Sequence, residues 1–152
     1  MNKILKISEF DPRLVEIHAQ SFDFGWKDSD FQEFLARPYH RFLGVYGEGG
    51  LEAYILASII ADEAEILTIA TDPALRRRGH ARALMQGLLA DLSAQSIRSL
   101  FLEVATDNPA AIAFYLGLGF REVGRRSAYY SRRNGGLVDA LILSLAIPTN
   151  SP

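Results

Sequence analysis

Four arginines, a glycine and a small residue crowd into Arg76-Arg77-Arg78-Gly79-His80-Ala81-Arg82, between a β-rich stretch (Ile66–Thr71) and a segment of helical period. A helix N-terminus presents unpaired N–H groups and the positive end of the backbone dipole, which favours an anion. Gly79 lacks a Cβ where a ligand needs close backbone approach. Ala81 is small at the next position a bulky group would block. Arg76, Arg77, Arg78 and Arg82 add positive charge around the same point. Strand, basic glycine-containing turn and helix together suit a pyrophosphate, although the same residues also describe a basic solvated face at a helix start. Neither G-x-x-x-x-G-K-[ST] nor G-x-G-x-x-G is present.

Three further residues could do chemistry. Glu103 lies inside the apolar run Ser99–Val104, where Leu100, Leu102 and Val104 alternate to one face and Phe101 and Glu103 share the other. A carboxylate there must be paired, hydrated, or raised in pKa by desolvation. Raised, it suits a general base for an ammonium; alternatively it is a strand-end charge reaching water. Tyr115, at helical spacing from Ile112, is either a core ring with a satisfied hydroxyl or a general acid for a departing thiolate. Asn108 precedes Pro109 and is a strong helix N-cap, whose amide could also touch a ligand.

The elements that position these residues follow from pattern. Ile4–Ile7 predicts a short strand. Asp11-Pro12 starts a helix running to about Phe22, which Phe24-Gly25-Trp26 breaks, and a second helix runs from about Ser29 to before Pro38. Phe42–Tyr46 and Leu51–Ile60 make a hairpin around Gly47-Glu48-Gly49-Gly50, and Ala64–Ala70 adds a third antiparallel strand. Ala81, Leu84, Met85, Leu88, Leu89 and Leu92 form one apolar stripe of helical period. Because that helix separates Ala64–Ala70 from Ser99–Val104, those two strands should run parallel through a right-handed crossover. A helix from Pro109 follows, then strands Phe120–Arg125 and Val138–Leu145 flank a polar loop containing Asn134-Gly135-Gly136. The expected fold class is α/β with a mixed sheet: antiparallel N-terminal strands joined to a parallel β-α-β half. One domain is expected over residues 1–147, with a frayed tail at 148–152.

Composition narrows the function classes. With 152 residues, 49% hydrophobic and 22% charged, the chain is an ordinary globular sequence. A formal net charge of −2 argues against a dedicated nucleic-acid binder. Zero cysteines exclude disulfides, a thiol nucleophile and Cys-ligated metals. His18, His40 and His80 show no ligand spacing, so no metal is expected and each reads as structural or exposed. The N-terminal residues lack an apolar h-region and no apolar run approaches a membrane span, which gives the expectation of a cytoplasmic protein with no membrane partner.

Arg76-x-x-Gly79-x-Ala81 resembles the [Q/R]-x-x-G-x-[G/A] loop of the GNAT-type N-acetyltransferases. Phe101-Leu102-Glu103-Val104-x-x-x-Asn108-x-Ala110-Ala111-Ile112-x-x-Tyr115-x-x-Leu118-Gly119-Phe120 is similar to the second half of the same signature. More narrowly, the chain resembles the ribosomal-protein-alanine N-acetyltransferases. Glu63-Ala64-Glu65-Ile66-Leu67-x-Ile69-Ala70-x-Asp72-Pro73, Trp26, Tyr129-Tyr130 and Asp139-Ala140-Leu141 fit that group. The resemblance covers nearly the whole chain and implies the GNAT acyl-CoA N-acyltransferase fold, with two parallel strands splayed at the cofactor site.

What the resemblance implies runs position by position. Glu103 matches the proton acceptor for an α-ammonium, direct or through water, and Tyr115 the proton donor to the coenzyme A thiolate. Ile69, Ala70 and Thr71 match the strand along the pantetheine arm and thioester carbonyl. Arg76, Arg77, Arg78, Gly79, His80, Ala81 and Arg82 match the pyrophosphate loop, and Asn108 a cofactor contact. Trp26, Tyr129 and Tyr130 match substrate-side positions, although Trp26 between two helices also reads as a core plug. Two departures fall where a substrate peptide should enter: Ala105, where the family often has arginine, and the hairpin Ser131–Val138 before the Asp-Ala pair. The implied reaction is direct attack of an amine on acetyl-CoA, the implied acceptor the N-terminal alanine of a small-subunit ribosomal protein. Acetylation of a small amine or a lysine side chain, and a non-catalytic acyl-CoA-binding module, are the alternatives. No specific nucleic-acid partner is expected.

Overall fold

A computed structural model describes residues 2–148. The order is β1 (Lys3–Lys6), α1 (Arg13–Ser21), α2 (Asp28–Leu35), β2 (His40–Gly47), β3 (Gly50–Ile60), β4 (Glu63–Thr71), α3 (His80–Ala94), β5 (Ser99–Ala105), α4 (Pro109–Gly117), β6 (Arg121–Ser131) and β7 (Leu137–Ala146), with a 3-10 turn at Pro73–Leu75. All seven strands join one sheet in the order β1-β2-β3-β4-β5-β7-β6. Only β4 and β5 pair parallel; every other neighbour is antiparallel. This is the mixed sheet the sequence predicts, with α3 as the crossover.

Two cores explain why these segments order. On one face, Leu84, Met85, Leu88 and Leu92 of α3 pack with Ala53, Ile55, Leu100, Leu102 and Leu143 of the sheet and with Tyr115 and Phe120. On the other, Leu14 and Ile17 of α1 and Phe31 of α2 pack with Phe42, Leu51, Tyr54, Leu56 and Ala70. β3 alternates between the two cores, which is why Leu51–Ile60 reads as an almost continuous apolar run. Burying each such Leu or Phe side chain stabilises by about 1.5–3 kcal/mol. Asp11 Oδ1 accepts from the Arg13 N–H at 2.9 Å at the start of α1, whose N-cap residue is Pro12.

One expectation needs correction. The penultimate strand is longer than Phe120–Arg125: β6 continues to Ser131, through a register break between Arg126 and Tyr130 with Ala128 at φ 49°. It is a polar edge strand exposed on both faces, so it carries no alternation from which its length could be read. Of the expected tail, Pro148 accepts a hydrogen bond from Ser93 Oγ at 2.6 Å, and residues 149–152 lie outside the described residues.

The α1–α2 core contains one titratable group with a testable consequence. His18 is buried, stacks on Trp26 at 4.6 Å, and places Nδ1 2.7 Å from the Tyr54 hydroxyl. Burial pulls its pKa from 6.5 down to about 4, against a small opposing pull from Asp30. The unfolded chain therefore binds a proton that the folded chain refuses, and stability is lost as pH falls from 6.5 toward 4. The expected loss is on the order of 2–3 kcal/mol. Urea unfolding at stepped pH should show that slope, and His18→Gln should flatten it.

Candidate active site

The central feature is where β4 and β5 stop pairing. Their parallel register covers only Glu63↔Ser99, Ala64↔Leu100 and Glu65↔Phe101, although β4 continues to Thr71 and β5 to Ala105. A bulge in β4 accompanies the parting: Leu56 of β3 faces Thr68 while Ala57 faces Ile66, leaving Leu67 as the extra residue. One inserted residue exchanges the faces of everything after it. Thus Ala64 and Ile66 belong to the α3 core, whereas Ala70 belongs to the α1–α2 core. Beyond Leu67 the strand pairs with β3 through Ile69, Ala70 and Thr71, and its β5-side edge has no strand partner.

The basic loop follows this open edge and is anchored at both ends. Asp72 receives Arg13 Nη2 at 2.6 Å and caps the 3-10 turn by accepting from Ala74 N–H at 2.9 Å. These contacts hold its carboxyl below the usual range, the Ala74 N–H contributing most. At the far end His80 is buried, with Nε2 3.1 Å from Glu52 Oε1. Its side chain is therefore part of the scaffold, and only its backbone faces the loop's interior. Between these anchors Arg77 and Gly79 take positive φ, 65° and 84°.

Gly79 is the N-cap of α3; no side chain caps that end and no acidic residue lies in its first turn. A Cβ on Gly79 would meet nothing within 4 Å. Arg76, Arg77, Arg78 and Arg82 are exposed around it, Arg76 Nη2 reaching Ser21 Oγ at 3.4 Å. Uncapped N–H groups, an open glycine and four cations make an anion seat that the protein does not fill with its own carboxylate. Asn108, by contrast, uses Oδ1 to cap α4 through Ala111 N–H at 3.2 Å.

The two residues singled out for proton transfer lie on β5 and α4. Glu103 faces away from the α3 core, as alternation predicts, and its carboxylate is paired: Arg126 Nε lies 2.8 Å from Oε1. Tyr115 is 8% exposed, edge-on to Phe114 and Phe120. Its hydroxyl bonds no described residue, yet among the described residues no sealed side-chain oxygen is left without a partner, so the oxygen reaches solvent-accessible space. Burial, with a contribution from Tyr130, pushes its pKa up to about 12. It therefore keeps its proton throughout the neutral range.

The aromatic positions divide. Tyr130 donates from its hydroxyl to the Glu103 carbonyl at 3.1 Å, and Tyr129, 49% exposed, packs edge-on against it. Trp26 lies among His18, Phe31 and Phe34, with the contacts of a core plug. The altered hairpin is tied down on two sides: Arg132 makes a bidentate pair with Asp107 at 2.9 and 2.7 Å, and Arg133 Nε donates to the Asp23 carbonyl at 2.9 Å. The hairpin's charge is thus spent within the fold. Cavities of about 240 and 230 Å³ lie beside α2 and β2 and are lined by none of the candidate site residues.

Sequence reading passed over Arg13, Glu52, Glu65 and Arg126. The first two anchor the loop from other strands and helices. Glu65 and Arg126 join Glu103 across strands whose order no local pattern reveals. The alternation of Glu63 and Glu65 in an otherwise apolar strand is the one signal that could have pointed to Glu65.

A splayed parallel pair beside an uncapped, basic helix start is a site for an extended ligand with an anionic end. The chain belongs to the GNAT acetyltransferase family: residues 12–120 match its model, described as the acetyltransferase (GNAT) family. It is an N-acetyltransferase of that family. Among relatives, it is 34% identical over 148 residues to the [ribosomal protein bS18]-alanine N-acetyltransferase of Escherichia coli K12, spanning 97% of this chain and 99% of that protein. It is 38% identical over 124 residues to the N-alpha-acetyltransferase RimI of Mycobacterium tuberculosis, 78% of this chain and 77% of that one. The crystal structure of the ribosomal-protein-S18-alanine N-acetyltransferase from Escherichia coli matches with a TM-score of 0.92 at 32% identity, covering 99% and 97% of the two chains. Arabidopsis thaliana NAA60 in complex with acetyl-CoA shares the fold, with a TM-score of 0.85 at 21% identity over 97% and 99%.

Proposed function

We propose that this chain acetylates the α-amino group at a protein N-terminus, using acetyl-CoA, and that its acceptor is the N-terminal alanine of a small-subunit ribosomal protein. The observation that carries the reading is the parting of β4 and β5 after Glu65 and Phe101, beside the uncapped start of α3. Similarity to the ribosomal-protein-alanine enzymes supplies the acceptor class. That acceptor places the protein with the ribosome in the cytoplasm, as one catalytic domain over residues 1–147.

Acetyl-CoA brings the activated acetyl group and a pyrophosphate. Arg76–Arg78, Arg82 and the backbone N–H groups of Gly79 to Arg82 suit that pyrophosphate, His80 contributing backbone only. Ile69, Ala70 and Thr71 offer the open strand edge for the pantetheine arm, where backbone N–H groups would steady negative charge developing on the thioester oxygen. Asn108 keeps an amide nitrogen for a cofactor contact while its oxygen caps α4. Tyr129 and Tyr130 bound the acceptor side, whereas Trp26 plugs the α1–α2 core.

Two protons must move. The acceptor's ammonium loses one to Glu103, directly or through water, which frees the nitrogen lone pair for attack. As the N–C bond forms and the C–S bond breaks, Tyr115 Oη gives its proton to the departing sulfur and regains one, through water, from the acylated nitrogen, which thereby loses its second. A phenol pushed up to about 12 always has that proton to give, and the same apolar setting raises the basicity of a leaving thiolate. Both reactants held in one cleft supply much of the acceleration.

Thiol release on mixing acetyl-CoA with short peptides tests the acceptor. Turnover with an Ala-starting ribosomal peptide, and none with an N-terminally blocked lysine peptide or small amines, is the expected result. Preference for the lysine peptide or a small amine would replace the acceptor while leaving acetyl transfer in place. Gly79→Ala tests the phosphate seat: the added methyl meets open space in the protein, so the fold should lose only the left-handed strain of about 1–2 kcal/mol. Calorimetry should show acetyl-CoA affinity falling by roughly tenfold, as crowding of the anion would cost about 1.4 kcal/mol.

A further inference from the structure

Glu103 is gripped from a strand that is not its neighbour. β7 lies between β5 and β6, yet Arg126 of β6 reaches the Glu103 carboxylate at 2.8 Å and Tyr130 of β6 reaches its carbonyl at 3.1 Å. The register makes the reach possible. Arg126 stands opposite Ala140, and Ala140 opposite Ala105, so two methyl side chains pave the path of the guanidinium. Arg126 and Tyr130 share a face of β6, and the break between them is held by Ala128, which takes φ 49° and whose N–H binds Asp139 Oδ1 at 2.8 Å. On its other flank Arg126 lies over the Tyr129 ring, 5.2 Å from the centroid.

Charge gives the contact a purpose. Glu65 of β4 faces the same point; burial and the charge of Glu103 push its carboxyl up, and Arg126 pulls it back down. Arg126 therefore screens two carboxylates at the neck where the strands part. Glu103 is 12% exposed and Arg126 54%, so the clamp lies on the solvent side of the carboxylate. One oxygen lies against Nε, and the Tyr129 hydroxyl also faces the carboxylate.

We propose that Arg126 is a positioning residue for acetyl transfer: its guanidinium holds the Glu103 carboxylate and so sets the direction from which it meets the acceptor amine. The proposal rests on Glu103 as the base. Arg126 contacts neither the loop at α3 nor the strand edge at Ile69–Thr71, so its removal should spare acetyl-CoA binding.

Steady-state kinetics on R126A, R126K and E103Q decide it. R126A should lower kcat by about tenfold or more with KM for acetyl-CoA unchanged, because a freely rotating base loses its alignment. Guanidinium ion at millimolar concentration should restore much of the loss in R126A and none in E103Q. R126K, which keeps the charge without the planar fork, should fall between R126A and wild type. Wild-type turnover in R126A, or a loss that guanidinium does not relieve and that raises KM for acetyl-CoA equally, overturns the proposal while leaving Glu103 as the base. Full turnover in E103Q overturns both together. Should R126A fail to fold, R126Q of similar volume replaces it, and equal losses in R126Q and R126K overturn the orienting role.

Discussion

Glu103→Gln is expected to lower kcat by ~10²- to 10⁴-fold while acetyl-CoA still binds. Glutamine keeps the shape of the side chain and an oxygen for Arg126, so the fold and the cofactor seat should survive. What it loses is the capacity to accept a proton at neutral pH. The acceptor amine, with an ordinary pKa of about 7.7–8.0, is mostly ammonium there and cannot attack until that proton leaves. The deficit should shrink as pH rises, since a growing fraction of the acceptor arrives neutral and needs no base. Thiol-release rates from pH 6.5 to 9.5 would show the two enzymes converging on the alkaline side. A mutant that turns over like wild type at pH 7 removes Glu103 from the reaction.

Tyr115→Phe is expected to cost roughly 10²-fold in kcat, with little change in thermal midpoint. Its ring is buried between Phe114 and Phe120, and phenylalanine preserves that packing. Because the hydroxyl bonds no described residue, its loss leaves no buried partner unsatisfied. The whole effect should therefore fall on departure of the sulfur. A leaving group that needs no protonation should rescue the variant, so an acyl donor built on an acidic thiol should narrow the gap to wild type. Equal losses with both donors would mean that Tyr115 is needed for its place in the core and not for its proton.

Local pattern carried most of the fold. The apolar stripe from Ala81 to Leu92, the Asn108-Pro109 helix start and the alternation around Glu103 all rest on interactions within a few residues, and the structure repeats each one. The parallel β4–β5 pair was legible too, because a helix between two strands forces it. The insertion of β7 between β5 and β6 was not, since strand order depends on contacts between residues far apart in the chain. The bulge at Leu67 was hidden for a different reason. Its flanks, Ile66 and Thr68, both look buried whichever face they take, and only pairing with β3 reveals the extra residue.

At the site the same division holds. Arg76 to Arg82 could be picked out as an anion seat from residue types alone. The inward turn of His80 could not, because Glu52 lies on another strand. Glu103 was legible as a carboxylate that needed explaining, and of the fates open to it the structure chose a partner, Arg126, that sequence distance concealed.

The parting of β4 and β5 is the claim on which the rest stands, and backbone amide shifts during titration with acetyl-CoA test it most directly. The account predicts that the largest changes fall on Ile69–Thr71 and on Gly79–Arg82, with α2 and β2 undisturbed. Changes confined to the cavities beside α2, or a silent Gly79–Arg82 segment at saturating ligand, would contradict it.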